Sequence, residues 1–213
     1  MNISILCSSE HHPVNAMLLR WIKKYPDDNI TLFRKKNELG FGDLLFLISC
    51  SELITKKERN NFSKTLVIHA SDLPKGRGWS PHIWAITEGE TEITISLLEA
   101  EDKVDSGPIW KKIKRKIPPH ALYDEINQSI FDAEEELMSF AVDNFQQITP
   151  KNQSIDTEPS YYPLRTSDNS QLDPNKSIAE QFDLIRVCDP NRYPAFFELH
   201  GKTFKLTIEK IYD

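Results

Sequence analysis

Asp43-Leu-Leu-Phe-Leu-Ile-Ser-Cys50 is a continuous apolar run of strand length. A strand without a wet face is buried on both sides, as in a parallel sheet covered by other elements. Thr65-Leu-Val-Ile-His69 is a second such run, and Lys56 to Lys64 between them reads as a charged, helix-like crossover. Upstream, Ile3 to Cys7 is short and apolar and breaks at Ser8, Ser9, His11 and Pro13, a buried strand ending in a loop. Val14, Met17, Leu18, Trp21 and Ile22 recur at helical spacing over Val14 to Tyr25. Strand, helix, strand, helix, strand predicts an α/β domain with a mostly parallel twisted sheet.

Working outward to the C-terminus, Asp72 to Pro81 is rich in turn residues. Ser80-Pro81 predicts a helix start, with Ser capping and Pro at the first helical position, and a short helix over His82 to Glu88. Thr91 to Leu98 alternates apolar and polar like a half-buried strand, and Pro108 to Ile117 alternates again. Leu122 to Phe145 carries the longest helical pattern. Residues 151–175 are rich in Pro, Ser, Asn, Asp and Gln and read as a linker that wraps the surface. Residues 176–213 read as a small C-terminal subdomain: a helix over Ile178 to Val187, then a hairpin of Phe196 to Leu199 and Thr203 to Ile211 turning at His200-Gly201. Phe196, Phe197, Phe204 and Leu206 of that hairpin could form a homodimer contact.

The formal net charge is −6 over 213 residues, with 39% apolar residues. That balance disfavours nucleic acid as the main partner, since phosphate binding needs clustered cations. The basic run Lys111 to Lys116 is explained by the wet face of a strand. Cys7, Cys50 and Cys188 give neither a disulfide framework nor metal-ligand spacing, so no metal is expected. No leader pattern and no apolar run of membrane-spanning length is present. The expected location is the cytoplasm, away from membranes.

Polar, titratable and glycine residues collect over His69 to Gly107, at the ends of expected strands, where open α/β sheets bind ligands. Singly, each has a structural reading. A His at a strand end is often only hydrogen-bonded, and Asp105-Ser-Gly107 is ordinary turn chemistry. Jointly, His69-Ala-Ser-Asp-Leu-Pro-Lys-Gly-Arg-Gly-Trp-Ser-Pro81, Trp84-Ala-Ile, Gly89-Glu90 and Val104-Asp-Ser-Gly-Pro-Ile109 form an ordered set. In order and spacing that set resembles the folate-dependent formyltransferases over residues 1–150, which would be the catalytic domain. The resemblance implies a Rossmann-like core with the small C-terminal helix and β-hairpin as an appendage. It also implies 10-formyltetrahydrofolate as formyl donor.

By the same resemblance, His69 and Asp105 are the catalytic pair. His69 would stabilise the developing oxyanion or move the amine proton, and Asp105 would orient it and accept charge. The pterin would lie in an apolar slot, bonded mostly to backbone of Ser51, Glu52, Leu53 and Ile54 and of the loop Glu101 to Asp105, including Asp102 and Val104. Ser8, Ser9 and His11 could face a nucleotide. Ser71, Lys75, Gly76, Arg77 and Gly78 complete the acceptor side, with the glycines permitting close approach and Arg77 a phosphate contact. Ser-Asp-Leu-Pro-Lys-Gly-Arg-Gly-Trp-Ser-Pro81 is similar to enzymes acting on UDP-linked 4-amino sugars of the pseudaminic-acid type, so the implied acceptor is a nucleotide-linked amino sugar. The expected product is an N-formyl sugar for surface polysaccharide. Few residues follow the linker and none form a basic face, which disfavours tRNA. Transfer to another amine (an aminoacyl carrier, tRNA or a purine precursor) and a non-catalytic folate or nucleotide binder are the alternatives. One departure stands out. The family carries Asn-Xaa-His, and here the Asn position is Val67. A backbone amide, a water, or the hydroxyl of Ser71 or Ser51 could replace the missing donor.

Overall fold

The structure is a computed structural model and describes residues 1–211. β1 (Asn2–Leu6) leads into α1 (Asn15–Ile22), β2 (Asn29–Phe33), a 3-10 turn at Lys36–Glu38 and β3 (Gly42–Leu47). α2 (Lys56–Arg59), β4 (Phe62–His69), β5 (Arg77–Gly78), α3 (Pro81–Thr87), β6 (Glu92–Glu99), β7 (Ile109–Lys116) and α4 (Tyr123–Asp143) follow. The remainder holds β8 (Tyr161–Tyr162), a 3-10 turn at Ser167–Ser170, α5 (Ile178–Arg186), β9 (Ala195–Leu199) and β10 (Lys202–Leu206). The main sheet runs β2-β1-β3-β4-β6-β7. Its first three pairings are parallel, and β6 is antiparallel to both β4 and β7.

The two faces of this sheet are covered unequally. Leu44, Phe46, Ile48 and Leu66 meet Met17, Leu18 and Trp21 of α1 and Ile130, Leu137, Met138 and Ala141 of α4. Trp21 is fully buried, meets Phe46 edge-on and donates its Nε1 to Ser139 Oγ at 3.0 Å, so the indole enters the core without an orphan donor. Side chains alternate across a strand. Leu45 and Leu47 therefore point the other way, into a smaller cluster with Leu6, Ile54 and Phe62. No long helix covers that cluster, and Val67, Cys50 and Ala100 at its rim are only partly buried. The carboxyl ends of β1, β3 and β4 thus open beside a thinly covered apolar wall.

Several expectations need correction. The sequence reading has no strand at β2, a short edge strand only half-buried along its length. The crossover helix stops at Arg59, because Phe62 to Lys64 already belong to β4. β6 is buried from Ile93 to Leu98, polar positions included, since it lies between β4 and β7. Ser96 Oγ meets that burial by donating to the Ser71 carbonyl at 2.7 Å. Ser80 sits at φ 46° and its side chain caps nothing, although Pro81 does open α3. The hairpin turns at His200-Gly201 with φ of 52° and 71°, but β10 ends at Leu206. Phe197 and Leu206 pack inward with Leu172, Ile185, Cys188 and Ala195. Of the four residues named for a dimer contact, Phe197 and Leu206 thus pack within the chain, while Phe204 remains exposed. Residues 151–175 are held at several points: Lys151 bridges Ile109, β8 pairs in parallel with β5, and Gln171 bridges Phe196.

Candidate active site

β4 and the β6–β7 loop bring His69 and Asp105 together. Asp105 Oδ2 lies 3.6 Å from His69 Nδ1, and the two side chains are 7% and 8% exposed. Asp105 adopts φ 54°, a left-handed conformation that a short polar side chain tolerates. Its Oδ2 accepts the Gly78 amide at 2.9 Å. His69 Nε2 is 2.8 Å from the Gly76 carbonyl. A carbonyl only accepts, so Nε2 carries the ring proton and Nδ1 turns its lone pair toward Asp105. The pair can take one proton at Nδ1 with the carboxylate as counter-charge.

Gly78 makes this closeness possible. It sits at φ 100°, and a Cβ there would lie 2.4 Å from the Tyr162 carbonyl. Arg77 does not reach outward as expected. It is buried, with Nη1 on the Tyr161 hydroxyl at 3.2 Å and Nη2 on Gln153 Oε1 at 2.6 Å. Lys75 is exposed. Ser71 Oγ is buried without a hydrogen-bond partner among the described residues, and the Ser71 amide donates to the His69 carbonyl at 2.9 Å.

The first strand ends two positions away in the sheet. Ser8 Oγ accepts the Ser51 amide at 3.0 Å, tying the ends of β1 and β3. Ser9 shapes the turn, its carbonyl accepting Asn15 Nδ2 at 2.9 Å and its Oγ the His11 amide at 3.3 Å. His11 itself is exposed.

On the apolar face the two expected donor loops are linked by one residue. Arg59 donates to the Ile54 carbonyl at 2.7 Å and pairs with Asp102 at 2.5 Å. The Ile54 side chain belongs to the smaller apolar cluster, and Glu52 Oε1 accepts the Lys36 amide at 3.0 Å. Leu53 and Val104 are 61% and 52% exposed, one on each loop. Val67 lies beside His69 on this face, and its register partners are Leu47 and Leu98. The cross-strand neighbours of Val67 are therefore aliphatic and offer no side-chain donor, while Thr65 and His69 flank it on the same face of β4.

Two imidazoles escaped the sequence reading. Burial holds the His12 pKa down at about 4, with Arg192 adding to the effect. His82 is held at about 4 by burial, then by His12, His69 and Arg165 nearby, and its Nδ1 has no partner among the described residues. The sequence pattern points to His11 rather than His12 and gives His82 only a helix position. Arg165 and Arg192 come from beyond α4, in the segments that read as linker and C-terminal subdomain. At neutral pH both imidazoles are uncharged and Arg192 is paired with Asp189, so Arg165 is the cation these groups add near His82.

A protein-family profile described as formyl transferase matches residues 24–142, more than half of the chain. The chain belongs to the formyl transferase family. A methionyl-tRNA formyltransferase of Protochlamydia amoebophila is 26% identical over 79% of this chain and 54% of its own length. The chain thus spans about half the length of such curated relatives. Among solved structures, a methionyl-tRNA formyltransferase from Clostridium thermocellum superposes with a TM-score of 0.83 at 22% identity, covering 100% of this chain and 94% of that one. A 4-N formyltransferase from Francisella tularensis gives 0.73 at 18% identity, covering 99% and 98%. HypX from Aquifex aeolicus, solved in complex with tetrahydrofolic acid, gives 0.72 at 18% identity, covering 94% and 36%. At such identities the structural likeness establishes the α/β formyl transferase fold.

Proposed function

We propose that this member of the formyl transferase family moves a formyl group from 10-formyltetrahydrofolate to the amine of a nucleotide-linked 4-amino sugar. The observation that carries the reading is the buried His69–Asp105 pair at the sheet rim. The donor supplies an activated formyl carbon. The acceptor nitrogen must be neutral to attack it, and a bond forms from that nitrogen to carbon as the carbon–folate nitrogen bond breaks. The His69–Asp105 pair takes up the amine proton and returns it to the departing folate nitrogen. Asp105 stabilises the imidazolium between those steps. The Gly78 amide on Oδ2 keeps the carboxylate aimed at the ring. Arg165, close to His82 on the same side, favours an acceptor that carries phosphate.

A second reading, transfer to an aminoacyl-tRNA, is favoured by the curated relatives, which are methionyl-tRNA formyltransferases. Mass spectrometry separates the two. The protein is incubated with 10-formyltetrahydrofolate and either UDP- and dTDP-linked 4-amino sugars or methionyl-tRNA. One added formyl unit on a sugar nucleotide supports the first reading, and formyl on the tRNA replaces it with the second. Failure on every acceptor, with folate bound, makes the protein a non-catalytic binder.

A further inference from the structure

Gln153 lies in the segment that reads as a linker, yet it makes three contacts at the back of the candidate site. Its Nε2 donates to the Asp105 carbonyl at 2.8 Å and to the Gly107 carbonyl at 3.0 Å, and its Oε1 accepts Arg77 Nη2 at 2.6 Å. Arg77 and Gly78 are in turn fixed by β8, and Ser160 Oγ accepts the Gly76 amide at 2.8 Å. Asp105 needs such support, because it holds φ 54°, and a non-glycine residue keeps that conformation only where its surroundings over-determine it. Gly107 cannot yield either: a Cβ there would meet the Glu99 carbonyl at 1.9 Å. Asp105 thus sits between an immovable turn behind it and the Gly78 amide in front.

We propose that Gln153 is a positioning residue for the His69–Asp105 pair, and that the strap of residues 151–162 is part of the site. The amide is the one uncharged side chain of this length that can donate to two carbonyls and accept from a guanidinium at once. The inference rests on the formyl-transfer reading for its kinetic consequence but not for its structural one.

Two variants test it. Gln153→Glu keeps the length and the Arg77 contact but cannot donate to the carbonyls, and Gln153→Ala loses all three contacts. If Gln153 positions Asp105, both variants lower kcat about 10- to 100-fold, the cost of a small misplacement of a reacting group. The acceptor KM stays within about twofold, and the rate-against-pH profile takes the shape seen in Asp105→Asn. Independently of turnover, the ring proton resonances of His69 move in both variants toward their positions in Asp105→Asn. A Gln153→Glu protein with wild-type kcat and unchanged His69 resonances overturns the proposal, since that variant preserves the merely structural tie to Arg77. If the wild type formylates no acceptor, the formyl-transfer reading fails, and the resonances of His69 alone decide the role of Gln153.

Discussion

At the residue scale, the candidate chemistry depends on one proton moving between the His69–Asp105 pair and a substrate nitrogen. His69→Asn and Asp105→Asn are each expected to cut turnover by about 100-fold or more while folate binding persists. Near-normal single-turnover rates in either variant would remove that residue from the reaction. Val67 gives the opposite kind of prediction. The aliphatic row Leu47, Val67, Leu98 offers no amide donor where the family carries Asn. Because an oxyanion donor is worth about 100- to 1,000-fold where it is well placed, Val67→Asn is expected to raise kcat about 10-fold. It should also lower stability by about 1–3 kcal/mol, the cost of a poorly paired buried amide. A slower Val67→Asn enzyme would mean that another group, such as the Ser71 hydroxyl, already fills the role. His69 and Asp105 were legible early because the surrounding Pro, Gly and Trp residues form an ordered pattern around them. Arg77 was legible as a residue but not in its direction, since its partners Tyr161 and Gln153 lie far along the chain. His12 and His82 were invisible because their burial depends on packing that no local pattern encodes.

At the element scale, the parallel strands could be read directly, because burial on both faces leaves an apolar run of strand length. β2 could not, since an edge strand carries half-buried, mixed residues. The pairing of β5 with β8 had no local signal at all. Two residues on each side are too few for alternation, and the contact depends on Gly78 approaching the Tyr162 backbone. That approach is testable by comparing two glycines of similar backbone conformation. Gly78 has φ 100° and no room for a Cβ, whereas Gly89 has φ 93° and nothing within 4 Å of one. Gly89→Ala should therefore cost only the left-handed strain, about 1–2 kcal/mol. Gly78→Ala pays the same strain and must also part the two strands. We expect it to cost more in urea unfolding and to make residues 149–162 susceptible to limited proteolysis in the native state. Equal destabilisation with equal protease resistance would show that β8 does not bind the loop.

At the scale of the whole molecule, a buried carboxyl and two half-buried imidazoles pull stability in opposite directions with pH. Glu134 faces the core from α4, its Oε2 has no partner among the described residues, and burial pushes its pKa up to about 8. A raised folded-state value means that its contribution is full below the unfolded value of 4.5 and is lost as pH rises through about 8. His12 and His82 are depressed to about 4, so their contributions are present above 6.5 and are lost as pH falls through about 4. Between 4.5 and 6.5 the two imidazoles together outweigh the one carboxyl. Above 6.5 only the carboxyl still titrates. For these groups stability therefore peaks near pH 6.5 and then falls by about 1.4 kcal/mol per pH unit, or about 2 kcal/mol by pH 8. Urea melts at pH 6.5 and 8 on the wild type and on Glu134→Gln isolate this, because the amide cannot titrate and every other group is shared. The wild type should lose about 2 kcal/mol more than the variant between the two conditions. The same fall in both proteins would mean that the Glu134 carboxyl is solvated or paired, and that the alkaline limb of the curve has another source.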